Sequence, residues 1–255
     1  VITESKPLAD AAAAAVPRRQ RPEPRRWKVS VVSKQSLNPR MTRLRLAGDD
    51  LNEFEWKRGQ DVILHLQDRG EPVRRHYTIR HHDAAAKIVD IDFVLHGDSP
   101  AGRFVQNAAP GDTLEIAGPR GRTVVNPSAD WHLFLGDETC IPAIFAILED
   151  LPRGANATAF IEIGTEADKQ TLNAKADVTL EWVMRNGAKA GPSDLLLRRL
   201  EDFTFPAGCG HAYVIGETSN VRAQRHRLLE RGFTKEQIAA EGYWRPDRVG
   251  GHDHI

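Results

Sequence analysis

The chain has 255 residues, enough for one large domain or two modest ones. Its 35 basic and 35 acidic residues cancel, so no global field directs it to nucleic acid or an acidic membrane surface. Two cysteines, Cys140 and Cys209, exclude a disulfide framework and a four-cysteine metal or iron–sulfur site. Both read as core thiols, and the expected compartment is the reducing cytoplasm. No run of about 18 apolar residues is present to span a bilayer. Residues 1–25, rich in Ala, Pro and Arg, read as a loose arm rather than a signal segment.

From Trp27 the pattern is β. Trp27–Val32, Met41–Leu46, Asp61–Leu66, Tyr77–Arg80, Lys87–Leu95 and Thr113–Ile116 are short alternating runs separated by turn residues. Six strands at this spacing predict a closed antiparallel barrel over 26–124. Within it, Arg75-His76-Tyr77-Thr78 opens a strand on which Arg75 and Tyr77 share one face and Thr78 takes the other. A guanidinium fork, a flat ring and a small hydroxyl in a row suit a flavin dinucleotide. They equally suit a solvated basic strand with one core tyrosine. After the fifth strand, Ser99 is placed to cap a short helix with Pro100 in its first turn. Its start either faces an anion or simply plugs a barrel end.

Past Asn126-Pro127-Ser128 the period changes. Continuous apolar runs at Trp131–Gly136, Ala159–Gly164, Val178–Met184 and His211–Gly216 read as buried parallel strands. Helices are expected at Ala143–Leu151, at Leu195–Leu200 after Ser193-Asp194, and at Val221–Arg231 before Gly232. Thr234-Lys235-Glu236-Gln237 has the form of a capping box opening one more helix. Strands alternating with helices predict a parallel α/β domain over 128–245, followed by a flexible tail, 246–255. The two His of that tail, His252 and His254, flank Asp253 and read as a mobile end rather than a metal site.

Gly136-Asp137-Glu138-Thr139 ends the first parallel strand, where open α/β sheets bind ligands. Asp137 and Glu138 are either ligand contacts or partners of a helix dipole. Glu166 and Asp168 follow the second strand, where acidic groups would accept from ribose hydroxyls and repel a 2′-phosphate, favouring NADH. Arg222 and Arg225 would instead suit NADPH.

The ordered set Arg75–Arg80, Asp92–Gly97, Ser99–Gly102, Pro110–Asp112, Gly118–Gly121, Gly136–Thr139, Gly216-Glu217 and Gly242–Arg245 resembles the siderophore-interacting protein family. These are FAD-dependent ferric-siderophore reductases on the ferredoxin-reductase plan. The resemblance implies an FAD-binding barrel followed by a Rossmann-like NAD(P)H domain. It implies that Arg75, His76, Tyr77 and Thr78 form the flavin-binding strand, with Arg75 on a phosphate, Tyr77 on the isoalloxazine and Thr78 at its polar edge. Asp92, Val94 and His96 would lie along the ribityl and adenine portions. Ser99, Ala101 and Gly102 would offer backbone N–H groups to the pyrophosphate; Gly102 stands where the family often has Ser. Asp137, Glu138, Thr139, Gly216 and Glu217 would line the nicotinamide pocket, and Trp244 would close over the flavin. Arg245, with Arg248 and Lys235, would meet an anionic ferric siderophore. The implied protein is a monomer carrying electrons from NADH or NADPH through FAD to chelated Fe(III). Another flavin or ferredoxin-type reductase, a siderophore carrier without turnover and a cofactor-free structural protein are the competing readings.

Overall fold

Alternation along the first half of the chain closes a sheet on itself. The computed structural model describes residues 24–95 and 98–246 and the backbone of 253–254. The strands are β1 (Arg26–Asn38), β2 (Met41–Ala47), β3 (Asp61–Asp68), β4 (Glu71–Asp83), β5 (Ile88–Val94) and β6 (Thr113–Arg120). They form an antiparallel barrel in the order β1-β2-β5-β4-β3-β6. Inward positions such as Val29, Leu44, Leu64, Ile79, Ile91, Phe93 and Ile116 fill it, as a six-strand barrel requires. Helix α1 (Pro100–Asn107) plugs one end with Ala101 and Val105. Outward positions carry charge in register: Arg43 clasps Asp92 and Arg45 clasps Asp90, each through two nitrogens, across the β2–β5 ladder.

The second half comprises β7 (Trp131–Asp137), α2 (Ile141–Asp150), β8 (Asn156–Ile163), β9 (Asp177–Met184), α3 (Leu195–Asp202), β10 (Gly210–Glu217), α4 (Thr218–Glu230), β11 (Ile238–Trp244) and β12 (Asp253–His254). Its sheet runs β12-β11-β10-β7-β8-β9. The five strands from β11 to β9 are parallel and β12 is antiparallel to β11. Residues Ile141 to Leu148 of α2 are all buried. The reason is that α2 lies between two apolar surfaces: its core cluster joins sheet residues to Met41 and Val94 of the barrel. Arg80 of β4 grips Glu149 of α2 with two 2.7 Å hydrogen bonds, fixing the same boundary by charge.

Four expectations need correction. The capping box at Thr234 forms, but it closes a single 3-10 turn, and a parallel strand follows instead of a helix. Of the expected cap Ser193-Asp194, Asp194 holds the N-cap position but its carboxylate is drawn to Arg198, and it is the Ser193 hydroxyl that accepts the Leu195 N–H at 3.4 Å. Cys209 is exposed, so only Cys140 is a core thiol. Arg25 belongs to the ordered barrel, lying over the Trp27 ring at 4.0 Å and pairing with Glu53. Residues 1–23 of the expected arm and most of the tail lie outside the described residues, as do the side chains of Asp253 and His254. Among the described residues no helix is long and apolar enough to cross a membrane.

Candidate functional site

The barrel side of the site is the middle of β4. Register with β3 sets Tyr77 opposite Val62 and Thr78 opposite Asp61. Tyr77 is half-buried and packs against the barrel core, its ring 4.3 Å from that of the buried Phe93. Burial pushes its phenol up to about 12. Arg75 is half-buried on the same face and spends one nitrogen on the carbonyl of Arg74 at 2.8 Å. Its other donors have no partner among the described residues, and neither does the Tyr77 hydroxyl. His76, on the opposite face, meets Asp61 through Nδ1 at 2.7 Å, with Arg120 alongside. Thr78 is buried and its hydroxyl lies beside the phenol of Tyr243. Tyr243 thus crosses from β11 to the barrel, and burial raises its pKa well above the usual range.

The other side is the C-terminal edge of the parallel sheet. Asp137 Oδ1 accepts the backbone N–H and the hydroxyl of Thr139. Its Oδ2 accepts the N–H of Glu217 and the indole N–H of Trp244, each at 2.9 Å. One carboxylate therefore ties the ends of β7, β10 and β11. Gly216 makes this possible: a Cβ there would stand 2.6 Å from Asp137 Oδ2, and its φ of +132° is one that side chains avoid. Burial first, then the charge of Glu138, pushes the Asp137 carboxyl up to about 6. Glu138 is clasped by Arg185, which also reaches Glu162, while Ser193 closes the set on Glu162.

Several expected contacts are thereby redirected. The Asp92 carboxylate is wholly buried under Arg43 and Arg80, on the outer barrel wall. Val94 packs into the cluster around α2. The Gly102 N–H is taken by the Ser99 hydroxyl at 3.1 Å, and Ala101 is buried in the barrel core, so this helix start is a cap first. Glu138 is paired with Arg185, and Glu217 accepts the Asn220 N–H at the start of α4. Asp168 is buried and bonded to Thr165 and Arg40, so it faces no open ribose position; Glu166 is exposed and paired with Lys169. Lys235 precedes the start of β11 while Arg245 follows its end. At about 3.3 Å per residue, the strand separates them by roughly 20 Å. Thr139, Trp244 and Arg245 remain half-exposed at the sheet edge. His96 and Arg248 lie outside the described residues. Asp61, Arg185 and Arg40 carry no signal in the sequence because each acquires its place only through pairing with a distant strand, and Tyr243 lies within the Gly242–Arg245 stretch but gains its partner the same way.

The comparisons with known proteins bear on this geometry. Residues 129–247 match the model of the siderophore-interacting protein family, and residues 61–123 match that of the siderophore-interacting FAD-binding domain. The chain belongs to the siderophore-interacting protein family. It is 32% identical to the ferric vibriobactin reductase of Vibrio cholerae over 238 residues, 84% of this chain and 87% of that one. It is 27% identical to the NADPH-dependent ferric-chelate reductase of Escherichia coli K12 over 176 residues, 68% of this chain and 66% of that one. The crystal structure of a siderophore utilization protein from T. fusca superposes with a TM-score of 0.81 at 36% identity, covering 88% and 94% of the two chains. The residues on the rim of β4 fit the flavin dinucleotide: the unspent donors of Arg75 and the half-exposed Tyr77 supply an anion receptor and a ring surface side by side.

Proposed function

We propose that the chain is an FAD-dependent ferric-siderophore reductase that takes electrons from NAD(P)H and releases iron as Fe(II). The observation that carries this reading is the convergence of two unlike edges. The rim of β4 offers Arg75 and Tyr77, and the sheet edge opposite it offers Thr139, Trp244 and Arg245, with Tyr243 reaching across to Thr78. The relatives named as ferric reductases in Vibrio and Escherichia support the choice of acceptor.

Bound FAD supplies the step down from two-electron to one-electron chemistry. The protein contributes position and environment. Arg75 holds a phosphate, and Tyr77 keeps a ring against the barrel rim. Asp137 fixes the Trp244 indole at the C-terminal ends of the parallel strands. Arg245 adds positive charge where an anionic chelate would approach. No side chain here need move a proton. Hard oxygen donors hold Fe(III) more tightly than Fe(II), so reduction loosens the chelate. The reaction suits the cytoplasm, where released Fe(II) is used.

The test is direct. Purified protein is expected to be yellow, to bleach with NADPH or NADH, and to yield Fe(II) from ferric siderophores in the presence of a ferrous trap. Arg75→Ala is expected to lose flavin on gel filtration. A colourless protein that binds ferric siderophore would establish a carrier instead.

A further inference from the structure

Arg40 belongs to the barrel, in the turn between β1 and β2, yet its guanidinium lies on the other domain. A Cβ on Gly164, the first residue past β8, would stand 1.6 Å from Arg40 Nη1 and 2.7 Å from its Cζ. Any side chain at 164 would expel it. The turn is set from both ends. Asn38 Oδ1 accepts the Arg40 N–H at 2.9 Å, and Asn38 Nδ2 donates to the Asp168 carbonyl at 3.0 Å. Arg40 Nη1 then reaches Asp168 Oδ2 at 3.1 Å. That oxygen already accepts both the N–H and the hydroxyl of Thr165, while Oδ1 is sealed from solvent without a partner.

Two consequences follow for a nucleotide. Asp168 cannot serve as the acidic reader of ribose hydroxyls, because its carboxylate is enclosed. The group standing over the end of β8 is instead a guanidinium, 44% exposed, with one nitrogen engaged and the rest of its fork without a partner among the described residues. The end of the second strand of a βαβ unit is where a dinucleotide's adenosine ribose is read; an acidic side chain there suits the free 2′-hydroxyl and an arginine suits the 2′-phosphate. A planar fork held at one corner is pre-organised for such a phosphate.

We propose that Arg40, lent by the flavin barrel, reads the 2′-phosphate of NADPH at the end of β8 and makes the enzyme prefer NADPH to NADH. This rests on the reading of the α/β domain as the nicotinamide-nucleotide domain. It also means that one ligand contacts both domains, so nucleotide binding and domain docking share a residue.

Calorimetric titration of the flavin-loaded protein with 2′,5′-ADP and with 5′-AMP separates the possibilities. Wild type is expected to bind 2′,5′-ADP about ten- to a hundredfold more tightly, the worth of one charge-assisted phosphate contact. Arg40→Gln should abolish the difference while leaving 5′-AMP binding unchanged, and should raise the KM for NADPH but not for NADH at similar kcat. Arg40→Lys should keep part of the preference. If Arg40→Gln retains the preference, or weakens both nucleotides equally, Arg40 is a strut between domains and the proposal is wrong. If wild type binds neither nucleotide, the nucleotide-domain reading fails and takes the proposal with it.

Discussion

The indole N–H of Trp244 donates to Asp137 Oδ2 at 2.9 Å, joining the last residue of β11 to the last residue of β7 across the intervening β10. The strand end is also held through its backbone, where the Trp244 carbonyl accepts the Thr218 hydroxyl at 3.0 Å. Removing the acceptor should leave the strand in place and free the ring. Asp137→Asn turns its amide N–H₂ toward one of the two donor pairs. The Trp244 emission, taken as wild type minus Trp244→Phe, is expected to shift to the red and become more quenchable by iodide. Unchanged emission would show that the ring is held by packing instead.

The same carboxyl carries a pH signature. Its folded pKa is raised to about 6, chiefly by burial, from an ordinary value of 3.8. The protonated form is therefore favoured by folding. Its stabilising contribution is full below about pH 4 and is lost as pH rises through 6. Asp137→Asn should remove this slope, which denaturant midpoints measured at half-unit steps between pH 4 and 7 will report.

His211 pulls the other way. It is buried beside His132 and Tyr213, with Asn126 Nδ2 near its Nδ1 at 3.1 Å, and burial lowers its pKa to about 4. The folded protein resists a proton that the unfolded chain accepts below 6.5. Its stability is thus intact above 6.5 and declines as pH falls toward 4, by at most about 1.4 kcal/mol per unit. His211→Gln is expected to flatten the acid limb of the stability curve. In wild type the two groups partly offset one another between pH 4 and 6, so Asp137→Asn should make the protein more acid-labile and His211→Gln less.

Much of the fold was legible because its signals are local. Alternation from Met41 to Leu46 marks a strand whatever its partner, and the unbroken Trp131–Gly136 run marks a buried one. Strand β11 was not legible: past Ile238 it reads Ala-Ala-Glu-Gly, with no β-branched residue, and it forms because β10 offers an open edge. The site was legible in part for the same reason. Alternation places Asp92 opposite in sense to Phe93, but only the pairing of β2 with β5 brings Arg43 against it. Likewise nothing around Gly164 announces that an arginine 124 positions earlier will cover it.

Gly216 provides a sharper test of the sheet edge than any loss of contact. Its backbone lies at φ +132°, and an added methyl would press on Asp137 Oδ2. Gly216→Ala combines left-handed strain with a clash at a carboxylate that holds three strand ends, and is expected to cost about 2–4 kcal/mol. Trp244 emission should change as in Asp137→Asn. A variant destabilised in denaturant but spectroscopically unchanged would separate the backbone strain from the carboxylate's role.

The boundary between domains depends on Arg80. Its guanidinium spans Glu149 of α2 and, at 4.0 Å, Asp92 of β5, with both Arg80 and Glu149 largely shielded from water. Truncating Arg80 leaves Glu149 without its partner against an apolar helix, whereas Asp92 keeps Arg43. The cost therefore falls on the boundary and not on the barrel. Arg80→Ala is expected to destabilise by about 2 kcal/mol, reduced from the value of a fully buried pair by the residual exposure of Glu149. The double variant Arg80→Ala/Glu149→Ala should recover part of that loss, since no charge is then left stranded. Limited proteolysis should show faster cleavage in the 121–130 connection for the single variant than for the double. Equal destabilisation in both would mean that apolar packing of α2 on Met41 and Val94, rather than the ion pair, holds the domains together.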